Sequence, residues 1–288
     1  MLRGGPLGDN RFQLLPLVLG LLVSLLGLVS CSPVDSSKNI SKSSVSAIVN
    51  GHSVSPQNPL RQSLVFLHVE YLNPQNQKIE SSDCSGVLIQ HGFLLTAAHC
   101  VQFAHFKSGE LWFPALNYKE SFTPSQIIPY EQSNSKTDSD HIEASKDIAL
   151  IKRKLANPQG SFPLSLAAFS LPTSFKFAAL GYGETTGLIT QKAQHENILR
   201  QTTLETSNYD SQKPLFEVYQ KKQGVCFGDS GGPAIVNFQG QYYIVGLAIS
   251  VLFDPRKGFN PGYDRCLEAS LYINTFYFQN WIQKQIRP

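Results

Sequence analysis

From residue 48 onward, apolar residues occur in short runs that are separated by clusters of Pro, Gly, Asn and Ser. Short runs bounded by turn-forming residues are typical of the strands of an all-β sandwich or barrel. We predict strands within 63–72, 84–98, 147–153, 175–183 and 241–253. One helical pattern stands at the end of the chain, because apolar residues there recur at three- and four-residue spacing on one face: Phe276, Phe278, Trp281, Ile282 and Ile286.

The N-terminus has a different pattern. Residues 14–30 form a nearly unbroken apolar run preceded by Arg3 and Arg11, which predicts a targeting segment outside the fold. The run ends in Leu-Val-Ser-Cys, which resembles the lipobox of bacterial lipoproteins. This resemblance implies that a signal peptide, residues 1–30, is removed and that Cys31 carries lipid in a bacterial cell envelope. A transmembrane anchor and an ordinary secretory signal are the alternatives, since about 18 apolar residues can span a bilayer.

The segment after Cys31 is rich in serine, with seven serines in the sixteen residues 32–47. We predict that 31–47 is a flexible tether or propeptide. The chain has five cysteines, an odd number for an exported protein. If Cys31 carries lipid, four remain that can close two disulfides in an oxidising compartment: Cys84, Cys100, Cys226 and Cys266.

Composition limits the function classes. With 42% apolar and 16% charged residues, the chain predicts a globular protein. Its 24 Lys and Arg exceed its 21 Asp and Glu by three. Nucleic-acid binding usually requires a strongly basic face, so we expect no nucleic-acid partner.

Three short motifs carry side chains with catalytic potential: His99 in Leu-Leu-Thr-Ala-Ala-His-Cys, Asp147 at the start of Asp-Ile-Ala-Leu-Ile-Lys-Arg, and Ser230 in Cys-Phe-Gly-Asp-Ser-Gly-Gly-Pro. Alone, each has a structural interpretation, as a core histidine, a strand-start residue and a loop residue. Together they have a chemical one. A serine hydroxyl becomes a good nucleophile when an imidazole takes its proton, and a carboxylate holds the imidazole in the right tautomer.

These motifs resemble the chymotrypsin/trypsin family of serine proteases. Ile-Val-Asn-Gly at 48–51, Gly-Tyr-Gly at 181–183 and Asn-Trp-Ile at 280–282 also resemble family motifs, and the order His, Asp, Ser is the family's own. The resemblance implies an all-β fold of two six-stranded antiparallel barrels with a C-terminal α-helix. Residues 48–160 are expected to form the first barrel and 161–288 the second, with the active site between them.

The resemblance also implies roles for individual residues. Ser230 is the expected nucleophile, His99 the base and Asp147 the residue that orients it, in an exported endopeptidase that acts on proteins or peptides. Backbone N–H groups of Gly228 and Ser230 are expected to bind the oxyanion, in a conformation that glycine permits. The implied disulfides are Cys84 with Cys100 and Cys226 with Cys266.

Asp229 has two interpretations, a solvated turn residue or, by resemblance, a buried carboxylate that pairs with the α-amino group of Ile48 after cleavage. The second interpretation predicts a zymogen. The residue before the cut is Ala47 rather than Lys or Arg, so a protease that prefers small residues is expected to activate it. Activation would separate the catalytic domain from a lipid on Cys31.

The expected specificity pocket contains Gly224, Val225, Ser250 and Ser270. In the family that the motifs resemble, the base of this pocket lies six residues before the nucleophile. That position is Gly224, which brings no acid. The resemblance therefore disfavours cleavage after Arg or Lys and favours small or medium apolar residues. If cleavage after a basic residue occurs, Glu268 and Asp264 are the first candidates for an acid that reaches the pocket. The long loop at 253–265 can rebuild the entrance.

Two rival functions remain at this stage. One is a catalytically silent lipoprotein that uses the fold to bind a partner protein, which the presence of all three catalytic residues disfavours. The other is an esterase with the same triad, whose usual fold has the order Ser, Asp, His. None of these chemistries requires a cofactor or a metal ion.

Overall fold

The computed structural model describes residues 48–131, 142–154, 157–191 and 198–287. The predicted signal peptide, Cys31 and the tether through Ala47 lie outside these ranges. Within them, no helix is long and apolar enough to cross a membrane.

The described chain is built from strands and one α-helix. In chain order these are β1 (His52–Ser53), β2 (Leu64–Asn73), β3 (Lys78–Leu88), β4 (Phe93–Thr96), β5 (Phe106–Phe113), β6 (Tyr118–Phe122), β7 (Ile127–Pro129), β8 (Ala149–Lys152), β9 (Ser165–Leu166), β10 (Phe175–Gly181), β11 (Arg200–Thr206), β12 (Leu215–Tyr219), β13 (Pro233–Phe238), β14 (Gln241–Leu252), β15 (Ala269–Asn274) and α1 (Gln279–Ile286).

The strands form two curled sheets. The first has the order β6-β5-β2-β3-β4-β8-β7, and the second has the order β1-β11-β10-β13-β14-β15-β12, with β9 pairing with β14. All pairings are antiparallel except β9 with β14. The all-β fold with a C-terminal helix is the one that the sequence predicts. Each sheet contains the six strands expected for one barrel. The first sheet has β7 in addition, and the second has β1 and β9.

The N-terminal strand crosses the expected boundary between the barrels. His52 and Ser53 pair with Gln201 and Arg200 of β11, so they belong to the second sheet although they precede the first. This pairing matters because it fixes the chain just after Ile48.

The core follows from alternation along the strands. In β2, Leu67 and Val69 are fully buried whereas the intervening His68 is partly exposed. The helix begins at Gln279, three residues after Phe276, where the apolar pattern begins, because 275–278 form turns. Phe278 and Ile282 are buried in the same core cluster as residues of the first sheet, and Tyr130 packs edge-on against Phe278.

Candidate active site

His99 and Asp147 are brought together by the pairing of β4 with β8. His99 lies in the short 3-10 turn that follows β4, and Asp147 lies two residues before β8. Asp147 accepts the His99 backbone N–H at 2.8 Å, and its second oxygen is 2.6 Å from Nδ1 of His99. An ionised carboxylate only accepts, so Nδ1 carries the proton and Nε2 is left as the basic atom.

Ser230 lies beside this pair. The Ser85 N–H donates to the Ser230 carbonyl at 2.8 Å. The sulfur of Cys100 lies 3.8 Å from that carbonyl and 3.6 Å from Nε2 of His99, so it packs between the two residues. In the described chain the Ser230 hydroxyl makes no hydrogen bond, and the residue is only half-buried. Its oxygen is therefore open to a substrate.

Three N–H groups of the loop 226–232 have no acceptor in the part of the chain that the structure describes, those of Phe227, Gly228 and Ser230. The N–H groups of Asp229, Gly231 and Gly232 donate to Cys226, Ala248 and Asp229 carbonyls. Gly228 has φ +86°, a left-handed conformation that glycine adopts without strain. Two free donors such as those of Gly228 and Ser230 can bind an oxyanion.

Asp229 is buried beneath the same loop. Its carboxylate accepts the N–H groups of Gly183 and Cys226, both at 2.8 Å. Burial nevertheless raises the pKa of Asp229 from 3.8 to about 7, because two neutral donors offset only part of the desolvation of the charge. Among the described residues no cation forms an ion pair with it.

The segment that begins at Ile48 packs against residues 222–224. Ile48 is fully buried, the Gly224 N–H donates to Val49 O at 3.1 Å, and Asn50 donates to Lys222 O. Ile48 has φ +56°, which is a strained conformation for a β-branched residue.

Two disulfides hold the site, Cys84–Cys100 and Cys226–Cys266, with the pairing that the family resemblance implies. The first lies next to His99 and the second next to the loop of Ser230. Cys84, His99 and Cys100 are also the one group in the described chain close enough to share a metal ion. The sulfurs of Cys84 and Cys100 form a disulfide with each other, so they are not available as thiolate ligands.

A cleft of about 230 Å³ opens beside Ser230. The other residues that line it are mainly apolar: Val225, Cys226, Phe227, Ala248, Ile249, Ser250, Val251 and Phe253. No acidic side chain is among them. Two of the four predicted pocket residues, Val225 and Ser250, therefore line the cleft, whereas Gly224 and Ser270 do not.

Gly224 lies behind the cleft, against the side chain of Gln220. A Cβ at Gly224 would come within 2.2 Å of the Gln220 amide carbon. Gln220 is buried, accepts the Val225 N–H at 2.7 Å, and donates to the carbonyls of Val225 and Cys266 at 3.2 and 2.8 Å. Gln220 thus fixes the floor of the cleft, a role that no local sequence motif indicates.

Ser270 and Ser250 differ from their expected roles. Ser270 is fully buried, and neither its hydroxyl nor that of Tyr272 has a partner of good geometry in the described chain. Ser250 is exposed, and its hydroxyl donates to its neighbour, Val251 O. A β-bulge at Ile249 shifts the register of β14, so Ile249, rather than a serine, is buried at the inner end of the cleft.

Comparisons with known proteins agree with this geometry. A sequence model of the family described as Trypsin matches residues 66–282. Serine protease SP24D of Anopheles gambiae is 26% identical over 219 residues, which cover 67% of this chain and 71% of that protein. Mast cell protease 2 of Meriones unguiculatus is 26% identical over 233 residues, 76% and 85% of the two chains. Granzyme F of Mus musculus is 25% identical over 256 residues, 83% and 91% of the two chains.

Proposed function

The chain belongs to the trypsin family, and from this premise we propose that it is an active serine endopeptidase that hydrolyses peptide bonds through an acyl-enzyme. Ser230 Oγ attacks the carbonyl carbon of the scissile bond while Nε2 of His99 takes its proton. Asp147 stabilises the imidazolium that forms. His99 then gives the proton to the leaving amine, and a water molecule repeats the sequence to release the acid and restore Ser230.

The observation that carries this proposal is the pair of unused N–H groups at Gly228 and Ser230. They lie in the loop that carries Ser230, which packs beside a histidine already oriented by Asp147. Removing one such donor typically raises the barrier by about 3 kcal/mol in related chemistry. A protein that only binds a partner has no need to leave both donors unpaired, so this observation favours the enzyme over the silent rival.

A covalent label tests the proposal. A serine-directed fluorophosphonate should modify Ser230 alone, as peptide mass mapping would show, and should abolish hydrolysis of a peptide amide in parallel. His99→Ala should prevent labelling, because the base is lost. Hydrolysis that survives complete labelling of Ser230 would contradict the mechanism. Peptide esters cleaved without any amide cleavage would favour the esterase alternative.

We further propose that the chain is made as a zymogen and activated by a cut between Ala47 and Ile48. The left-handed φ of Ile48 supports this, since the strain, on the order of 1–3 kcal/mol, exists only while a peptide bond precedes Ile48. The buried carboxylate of Asp229 supports it as well, because the described chain provides no cation and the new amine would supply one.

The location that we propose is outside the cytoplasm. Two disulfides fit an oxidising compartment. The lipobox-like sequence supports a bacterial lipoprotein precursor held by Cys31, with a periplasmic or secreted mature form, and this part of the proposal rests on the sequence before residue 48. The relatives named above come from animals.

Small or medium apolar side chains are the proposed occupants of the cleft. Its lining is mainly apolar, and its volume of about 230 Å³ is modest. No acid lines it to neutralise Lys or Arg. The proposed substrates are therefore proteins or peptides in which the residue before the scissile bond has a small or medium apolar side chain.

A further inference from the structure

The guanidinium group of Arg265 packs against two aromatic rings of the cleft wall. Its central carbon is 4.8 Å from the centre of the Phe227 ring and 5.9 Å from that of Phe253. Both rings line the cleft that contains Ser230. Arg265 does not itself line the cleft, and its positive charge lies 4.8 Å from the centre of a ring that does.

Within the described chain, this guanidinium makes only one hydrogen bond. Its Nε donates to the Gly187 carbonyl at 3.0 Å, and its two terminal nitrogens have neither a hydrogen-bond acceptor nor a carboxylate partner in the described chain. The adjacent Asp264 is engaged elsewhere, because its oxygens accept the N–H groups of Gly187 and Cys266 and the hydroxyl of Thr186.

The other two cations of the 253–265 loop provide a contrast. Arg256 pairs with Asp254 at 3.0 Å, and Lys257 lies within 4.0 Å of Asp254 and Glu268. Both side chains are largely exposed. Arg265 is thus the cation of this loop that is half-buried, packs against the cleft wall and lacks an acid.

The position of Arg265 is fixed from several sides. The next residue is Cys266, which is bonded to Cys226, and the preceding Asp264 holds the backbone of Gly187. The guanidinium plane is also held by the two aromatic rings. A cation held in this way loses little conformational freedom when it binds a ligand, and its planar fork of donors matches a carboxylate.

We propose that Arg265 is a specificity-determining residue that lets the cleft accept an acidic side chain, glutamate above all, in addition to the apolar side chains, at the residue before the scissile bond. This inference rests on the proposed function. The methylene groups of such a side chain pack against the apolar walls at Val251 and Phe227, and its carboxylate reaches past the Phe227 ring to pair with the terminal nitrogens of Arg265. The walls thus accept the apolar side chains proposed above, and Arg265 adds a preference for Glu over isosteric Gln.

The test compares peptides that differ only at the residue before the scissile bond, with Glu, Gln, Leu or Lys there. For the active wild-type protein, kcat/KM for Glu should exceed that for isosteric Gln by about tenfold, which is the size of one hydrogen bond to a charged group. The ratio should fall as salt is raised, because Arg265 is only half-buried.

Variants assign the effect to one residue. Arg265→Gln should bring the Glu/Gln ratio close to one, and Arg265→Lys should restore part of it. Arg256→Gln is the matched control, because it removes the same charge from the same loop, and it should leave the ratio unchanged. If Arg265→Gln fails to fold, the wild-type ratio and its salt dependence still decide the question.

Three results would overturn the inference. They are a wild-type Glu/Gln ratio near one, a ratio that Arg265→Gln leaves intact, and a loss of the ratio in Arg256→Gln. If one of these results is found and the Leu peptide is still cleaved, the inference fails but the proposed function is retained. If no peptide is cleaved and Ser230 is not labelled by a fluorophosphonate, the proposed function fails, and the inference falls with it.

Discussion

Replacing Asp229 with asparagine in the uncut chain removes the buried carboxylate beneath the loop that carries Ser230 and keeps the shape of the side chain. Asp229 has a folded-state pKa of about 7 against an ordinary value of 3.8, chiefly because burial disfavours the charge. Between pH 4 and 7 the folded chain therefore holds a proton that the unfolded chain has lost. Stability contributed by this group is fully present below about pH 4 and is lost as the pH rises toward 7.

The expected loss follows from the size of the shift. About three pH units at about 1.4 kcal/mol per unit give ~4 kcal/mol between pH 4 and 7. After cleavage before Ile48, the new amine is expected to pair with the carboxylate and keep it ionised. The pH dependence from this group should then disappear or reverse in the cut form, where stability would be lost as the pH falls.

The assay is urea unfolding of the chain that carries Ser230→Ala, uncut and cut before Ile48, with and without Asp229→Asn, from pH 4 to 8. Other carboxylates titrate in every sample, so the quantity to compare is the difference between Asp229 and its asparagine variant at each pH. In the uncut chain, the free energy of unfolding of the Asp229 protein should fall by about 4 kcal/mol relative to that of the asparagine variant as the pH rises. A difference that stays constant with pH, or that is the same in cut and uncut chains, would refute the reasoning.

Three other outcomes are expected. Gln220→Ala should lower the free energy of unfolding by about 3 kcal/mol in urea titrations, because it strands buried groups of Val225 and Cys266; a loss under 1 kcal/mol would show that Gln220 does not hold the cleft floor. A peptide library should give no efficient cleavage after Lys or Arg, and frequent cleavage there would mean that an acid such as Glu268 or Asp264 reaches the cleft. Fractionated cells should contain the active species in the soluble fraction with Ile48 as its N-terminus, whereas full activity in membranes from a chain still beginning at Cys31 would contradict release by activation.

Unbroken apolar runs in the sequence predict some strands closely, but β13 and β15, although largely buried, lie in none of the predicted ranges. The apolar runs at 241–253 and 175–183 become β14 and β10 almost unchanged. Strand β11 is not among the predicted strands because its exposed residues, Thr203 and Glu205 among them, interrupt the apolar pattern. The run at 84–98 is split between β3 and β4 by a tight turn at His91 and Gly92, and the glycine was the only local signal of that turn.

At the site, motif residues were easier to predict than the residues that support them. His99, Asp147 and Ser230 lie in short motifs that resemble those of a known family. Gln220 and Arg265 do not, because their contacts join segments far apart in the chain: Gln220 reaches Cys266, 46 residues away, and Arg265 reaches Gly187, 78 residues away. In the sequence, only the length of the 253–265 loop pointed to this part of the cleft, which Phe253 lines.

The central claim is that Ser230 and His99 act as one catalytic unit. Its most direct test is kcat/KM for one peptide amide, measured on the cut wild-type protein, Ser230→Ala, His99→Ala and the double variant. The account predicts that each single change lowers activity by several orders of magnitude and that the double variant is no worse than either single variant. Activity within about tenfold of wild type in either single variant, or losses that multiply in the double variant, would contradict it.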